Sequence, residues 1–227
     1  MNYLAIGLVI ILITVIYFTY NYLTNTTLTS GLSDLSLQQI VTYDKLLNPN
    51  SSTYSYQGWF YISSPTTSDV QVFYRKNLTT SMNDFEVNLN EQTLSVRAGD
   101  GTAGTPPITI MTVTTNFPIQ HWTYLVINVY NLQTFEAYIN GKLVKTVNNT
   151  QVIKPSSKTS SLYIGDGVLK GYVTKFTRTA NTLDAQKIWN TYLSGNGLST
   201  AFYALLPYGL NMSISKGEDI QRVVKLF

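Results

Sequence analysis

The sequence predicts an all-β, antiparallel β-sandwich behind one N-terminal transmembrane helix, with a single short helix near the C-terminus. Three observations carry this expectation. From residue 54 onward, apolar and polar residues alternate with a period near two, and turn residues recur at short intervals. Asn140-Gly141 sits between two such alternating stretches. Asn-Gly is the strongest short-range hairpin signal, because both turn residues need positive φ. Ahead of all this lies an apolar run, and the first charged side chain in the chain is Asp34.

That run spans residues 4–18. Its large apolar side chains are Leu4, Ile6, Leu8, Val9, Ile10, Ile11, Leu12, Ile13, Val15, Ile16 and Phe18, interrupted by Gly7 and Thr14. Tyr3, Tyr17, Tyr20 and Tyr22 flank it, and tyrosine rings favour the headgroup layer. A spanning helix needs about 20 mostly apolar residues, which residues 3–23 supply. A cleaved signal fits poorly. The start, Met1-Asn2, carries no basic residue, the run exceeds a signal core, and Asn21-Tyr22-Leu23-Thr24 is a poor cleavage site. A buried soluble helix fits poorly too, since the run is apolar all round rather than on one face. The nearest basic residue is Lys45, so the positive-inside rule has nothing to count. Residues 1–23 are therefore expected to form a single-pass anchor in a lipid bilayer.

The remaining chain of about 200 residues suits one all-β domain. Charged residues make up 12% and the net charge is +3, too little to point to nucleic acid as a partner. No cysteine is present, which excludes disulfides and thiolate metal sites. Asn25, Asn50, Asn77, Asn148 and Asn211 each open an N-x-S/T triplet. Such triplets mark glycosylation acceptors on a lumenal or surface domain. In a chain this rich in Asn, Ser and Thr they also arise from composition alone.

Residues 24–53 read as a polar stalk, with a short helical stretch through Leu32, Leu35 and Ile40 and a turn cluster at 48–53. The expected strands follow at 55–62, 70–74, 85–89, 93–97, 108–114, 122–130, 135–139, 142–147, 162–165 and 172–176. Of these, 122–130 is the most apolar and so the most central. A helix is expected over 183–192, placing Leu183, Ile188, Trp189 and Tyr192 roughly on one face, with Asp184 as N-cap and Gly195 as terminator. Residues 198–227 carry two apolar runs around a turn and read as an extension, expected as a β-hairpin docking on the sandwich or on a partner.

The order of these features is distinctive. Gly58-Trp59 and Phe73-Tyr74-Arg75-Lys76 come first, followed by a strand opening on His121-Trp122. Next come Tyr138-Ile139-Asn140-Gly141 and Leu162-Tyr163-Ile164-Gly165-Asp166. Last are Gly171-Tyr172 and the short helix. Over residues 54–197 this resembles the concanavalin A-like, laminin-G-like jelly roll. The resemblance implies a fold and leaves function open, since that fold hosts lectins, glucanases, adhesion modules and structural domains.

Glycosidases of that fold carry closely spaced carboxylates of the form E-x-D-x-x-E on one strand, because hydrolysis needs two carboxylates flanking the bond. No such triplet occurs here. Asp84 and Glu86 are the nearest pair and are expected on a solvated strand edge. His121 opens a strand with no nucleophile motif anywhere in the chain. For calcium, Asp69, Asp100 and Asp166 fall in loops without a D-x-D or D-x-N run and read as turn residues. No catalytic residue, cofactor or metal ligand is expected.

Two functions fit. The first is a non-enzymatic structural protein tethering a membrane to a protein shell. In organisation the chain resembles a minor capsid or virion protein of a large icosahedral DNA virus with an internal membrane. Its partners would be the bilayer and other capsid-type proteins. The second is a membrane-anchored, lectin-like adhesin that binds glycans, which the Tyr content and the N-x-S/T triplets favour and the lack of disulfides opposes. A membrane-bound glycosidase needs an unrecognised carboxylate pair to converge in space. The structural tether is the preferred expectation.

Overall fold

Strand alternation becomes two facing sheets. The computed structural model describes residues 7, 9–16, 25–29, 31–99, 102–151 and 153–196, and two further strands, Asn211–Lys216 and Asp219–Lys225. The chain divides into two units, Met1–Leu193 and Ser194–Phe227.

In the first unit the strands are β1 (Asn25–Thr29), β2 (Ser33–Asp34), β3 (Gln39–Val41), β4 (Tyr54–Ile62), β5 (Val70–Asn77), β6 (Asn83–Asn90) and β7 (Thr93–Ala98). They continue as β8 (Ile108–Thr114), β9 (Trp122–Tyr130), β10 (Thr134–Ile139), β11 (Lys142–Asn148), β12 (Ser160–Ile164) and β13 (Gly171–Thr179), and the unit's last element is helix α1 (Ala185–Leu193). One sheet runs β1-β13-β4-β9-β10-β11, with β2 also pairing β13, and the other runs β3-β12-β5-β6-β7-β8. Every pairing is antiparallel, and β9 is interior, as its apolar run predicts.

The core between the sheets takes alternate residues. Tyr56, Phe60 and Ile62 from β4 and Leu125, Ile127 and Val129 from β9 meet Phe73, Phe85, Val87 and Leu162 of the opposite sheet. Tyr56 stacks on Phe85 at 5.4 Å and on Phe176 at 6.1 Å between ring centroids, contacts that stabilise beyond the area they bury. A second cluster lies on the other face of β4 and β9: Trp59, Tyr124, Val126 and Tyr138 pack against Leu183 and Ile188. Helix α1 therefore covers part of the seven-stranded sheet from outside. Both faces of β4 and β9 are buried there, which is why these strands are apolar almost throughout. Asp184 caps α1 by accepting the Lys187 N–H at 2.9 Å, and Gly195 beyond its end has φ 72°.

The region before residue 54 departs from expectation. Instead of a helical stretch through Leu32, Leu35 and Ile40, the chain forms β2, a turn and β3. Together with β1 these short strands pair with β13 and β12 at the edges of both sheets. Leu35 is fully buried in the core, and its N–H donates to the Gly171 carbonyl at 2.9 Å. Burying that one side chain fixes the segment to the sandwich, and the surrounding Thr and Ser residues tolerate extended backbone.

At the N-terminus residues 9–16 are helical, and Val9, Ile10, Ile11, Leu12, Ile13, Val15 and Ile16 are each more than half exposed. The expected anchor residues Leu4, Ile6, Leu8 and Phe18 lie outside the described residues. Among the described residues no helix is long and apolar enough to cross a membrane. In the second unit, β14 (Asn211–Lys216) and β15 (Asp219–Lys225) pair antiparallel. The expected docking of that extension falls outside the described residues.

Gly165 has φ 73°, and a Cβ there would collide with the Leu35 carbonyl oxygen. Gly165→Ala is expected to destabilise the fold by at least about 2 kcal/mol through left-handed strain and the lost close approach. The denaturant midpoint measures this directly.

Candidate functional site

A pocket of about 310 Å³ opens on the outer face of the seven-stranded sheet, lined by Thr29, Gln57, Trp59, Tyr124, Lys175, Thr177 and Thr191. Five elements build it: β1, β4, β9, β13 and α1. A break in strand register makes room for it. Between Thr174 and Thr177 the pairing of β13 with β4 shifts, and Lys175 there takes φ 51°. The Phe176 N–H, turned away from β4, donates to the Thr29 hydroxyl at 3.1 Å. A bulge re-aims side chains and bends its strand.

The pocket has an aromatic side. Trp59 packs on Tyr124 at 5.3 Å and stacks on Tyr192 at 5.8 Å with the planes 20° apart. The hairpin turn supports these rings. Asn140 and Gly141 have φ 51° and 78°, and the turn backbone passes directly beneath Trp189 and Tyr192 of α1. The Asn140 side-chain oxygen accepts the Tyr124 N–H at 2.9 Å, which fixes the ring position from the backbone.

Polar groups in the pocket are arranged with one sense. The Tyr124 hydroxyl donates to the Gln57 amide oxygen at 2.5 Å, and the neighbouring Thr191 hydroxyl donates to the Lys187 carbonyl at 2.8 Å. The Gln57 acceptor is thereby used, and its NH₂ group has no protein partner among the described residues. Trp59 is 6% exposed, and its indole N–H is buried with no hydrogen-bond partner among the described residues. An orphaned buried donor costs roughly 1–3 kcal/mol, so its survival at a pocket calls for a reason.

The charged residues lie elsewhere. Asp84 and Glu86, expected on a solvated strand edge, are both buried. A register break between Arg75 and Lys76, opposite Asp84, gives the two different surroundings. Asp84 accepts from the Ser157 N–H at 3.0 Å and from the Ser160 hydroxyl. Glu86 accepts from Asn83 at 2.7 Å, Asn88 at 3.2 Å and Arg97 at 3.4 Å, and Arg97 also pairs with Asp69 at 2.5 Å. Asp166 caps its own turn by accepting from the Val168 and Leu169 N–H groups, and Asp100 lies outside the described residues. His121 is exposed at the start of β9. Among the described residues no cluster of three metal-ligating side chains occurs.

The sequence profile of the concanavalin A-like lectin/glucanases superfamily matches residues 36–198. The chain belongs to that superfamily. No curated protein matches it. Among solved structures it is similar to the botulinum neurotoxin serotype D binding domain, with a TM-score of 0.52, 12% identity, and coverage of 75% of this chain and 41% of that one. It is similar to the serotype G binding domain at a TM-score of 0.51 and 13% identity, covering 75% of this chain and 46% of that one. A third similar structure is the binding domain of botulinum neurotoxin DC in complex with rat synaptotagmin II, at a TM-score of 0.53 and 16% identity, covering 69% and 40%. The chain spans less than half the length of those domains, and at such identities the likeness is one of fold.

Within this lectin/glucanase sandwich, sequence reasoning used Gly58-Trp59 only as a mark of the fold and missed the pocket. The available signal was a tryptophan out of phase with the core residues of its own strand, with a glutamine two positions before it on the same face.

Two outcomes are expected. Burial raises the Tyr124 hydroxyl above its ordinary pKa of 10.0, so the folded state holds that proton more tightly than the unfolded chain. The resulting stability is complete below the ordinary value and is lost as pH rises toward the folded one. Alkaline unfolding curves should therefore flatten in Tyr124→Phe. Arg97→Met leaves Glu86 and Asp69 without their cation and is expected to cost roughly 1–3 kcal/mol, with Glu86→Gln recovering part of the loss in the double mutant.

Proposed function

We propose that this chain is a membrane-tethered, non-enzymatic structural protein that joins a bilayer to a protein shell, as a minor capsid protein of a virion does. The observation that carries the reading is the exposed apolar helix at residues 9–16. Seven large apolar side chains stand more than half exposed there, and no charged residue precedes Asp34. Moving seven such side chains out of water is worth on the order of 10–20 kcal/mol. A bilayer supplies that apolar medium, and the wider run of residues 3–23 matches its thickness.

The placement of β1 supports the tether. Asn25 pairs with Thr179, so the chain enters the sandwich at that end of β13. The other end of β13, at Gly171, lies roughly 27 Å away along the strand. Leu37 and Val168 are exposed there by 68% and 69%, on loops joined by the Leu35 to Gly171 hydrogen bond. The non-enzymatic reading is supported by the commitment of Asp84, Glu86 and Asp69 to Ser, Asn and Arg partners within the fold. Of the N-x-S/T asparagines, Asn77 is 7% exposed and accepts the Thr79 N–H at 2.9 Å, which supports reading that triplet as composition.

Flotation of the full chain with liposomes tests the tether. The chain is expected to float and to resist alkaline carbonate extraction, and a variant carrying both Ile10→Lys and Ile13→Lys is expected to stay in the soluble fraction. A full chain that is soluble without lipid or detergent overturns the tether. Absence from purified particles that contain a membrane overturns the shell role.

A further inference from the structure

We propose that Asn140 is a site of spontaneous deamidation, with Gly141 as the attacking residue, and that the β10–β11 turn gates it, so that the reaction runs only when the turn opens. The inference stands apart from the tether and rests on the hairpin alone. In the reaction the Gly141 main-chain nitrogen loses its proton and bonds to Cγ of Asn140. The Cγ–Nδ2 bond breaks, and the side-chain amide leaves with that proton as ammonia. Water then opens the five-membered imide ring. Cleavage at Cγ gives aspartate. Cleavage at the main-chain carbonyl gives isoaspartate, in which the chain runs through the former side chain. Glycine carries no Cβ, so the attacking nitrogen is unhindered.

The folded turn does not reach the geometry that the ring requires. The ring holds Cβ of Asn140 coplanar with its own carbonyl carbon and the Gly141 nitrogen, which sets ψ at Asn140 far from zero. Asn140 and Gly141 have φ 51° and 78°, the type I′ form, which keeps ψ of the first central residue at about 30°. A two-way clamp on Tyr124 fixes the residue there. The Asn140 N–H donates to the Tyr124 carbonyl at 2.8 Å, and the Asn140 Oδ1 accepts the Tyr124 N–H at 2.9 Å. The turn backbone also lies against α1: a Cβ at Gly141 would meet Trp189 at 2.7 Å and Tyr192 at 3.2 Å, so it has little room to rotate beneath those rings. Turn and clamp must therefore give way before the ring can close. Tyr124 is 1% exposed, so opening orphans a buried donor. The outcome is one-way. Aspartate keeps an acceptor for the Tyr124 N–H, but isoaspartate adds a main-chain carbon to a two-residue turn and removes the seat of Trp189 and Tyr192.

The test compares conversion of Asn140 in the full chain in detergent, folded and unfolded in urea, by peptide mapping with isoaspartate detection. The folded chain is expected to convert at least about tenfold more slowly, the effect of leaving the Tyr124 donor unpaired on opening. As urea is added below the unfolding transition, conversion is expected to rise in parallel with hydrogen exchange at the Tyr124 N–H, because both pass through the same local opening. Trp189→Ala, which removes the larger ring over the turn, is expected to raise the folded rate severalfold. No conversion in the unfolded chain overturns the site. Equal rates in the folded and unfolded chain overturn the gate, as does conversion that stays flat while Tyr124 exchange accelerates, or a folded Trp189→Ala that converts at the parent rate. If Trp189→Ala fails to fold, the urea series still decides. Failure of the tether reading appears in flotation and leaves this comparison unaffected.

Discussion

Two buried guanidinium groups hold the sandwich to the chain that precedes it. Arg75 rises from β5 in the six-stranded sheet and Arg178 from β13 in the seven-stranded sheet, each about 1% exposed. Arg178 donates to the Leu47 carbonyl at 2.5 Å and the Asn48 carbonyl at 3.1 Å; Arg75 donates to the Pro49 carbonyl at 3.1 Å and the Ser160 carbonyl at 3.0 Å. One short stretch of backbone thus receives both sheets. A buried charge persists only where hydrogen bonds and a counter-charge replace water. Asp84 supplies the counter-charge through Ser160, whose hydroxyl it accepts while the Ser160 carbonyl accepts from Arg75. Tyr54 completes the site with its ring 5.4 Å from the Arg178 carbon. Removing either arginine would orphan two or more carbonyls inside the fold and break the tie between the sheets and residues 47–49.

The same constraint explains what could and could not be seen in the sequence. Strands β8 and β9 were legible to the residue, and β4, β7, β10 and β11 nearly so, because their side chains alternate or run apolar and their turns carry Asn-Gly or Asn-Glu-Gln. Helix α1 was legible from its cap at Asp184 and the spacing of Ile188 and Tyr192. Strands β1, β2 and β3 were not. They are short, Thr- and Ser-rich, and held by pairing with β13 and β12, partners more than a hundred residues away in sequence. No local pattern encodes that. Leu35, Leu46 and the carbonyls of 47–49 matter through their distant partners, and a polar segment with two buried leucines looks like a linker until those partners are known.

Asp84 and Glu86 show why spacing alone misjudges chemistry. Two residues apart on an ideal strand, they share a face, and solvent exposure is the natural expectation for both. A single register break separates their surroundings, placing one carboxylate beside the buried arginine site and the other among Asn83, Asn88 and Arg97. A bulge is invisible in composition because it depends on how the neighbouring strands fit. The pocket was hidden for the same reason. Its opening depends on the irregularity in β13 at Lys175, which nothing in Val173-Thr174-Lys175-Phe176-Thr177 announces.

The placement of α1 covers an apolar patch on the outer face of the seven-stranded sheet. The helix buries Leu183 and Ile188 against Val126, Tyr124 and Tyr138 and so removes apolar surface that the outer face of the sheet would otherwise expose. Its C-terminal turn brings Tyr192 onto Trp59 and Thr191 to the edge of the pocket that Trp59 and Tyr124 line. A packed sandwich retains a buried donor without a partner at a net cost in stability. That cost falls where five elements converge on one aromatic pocket.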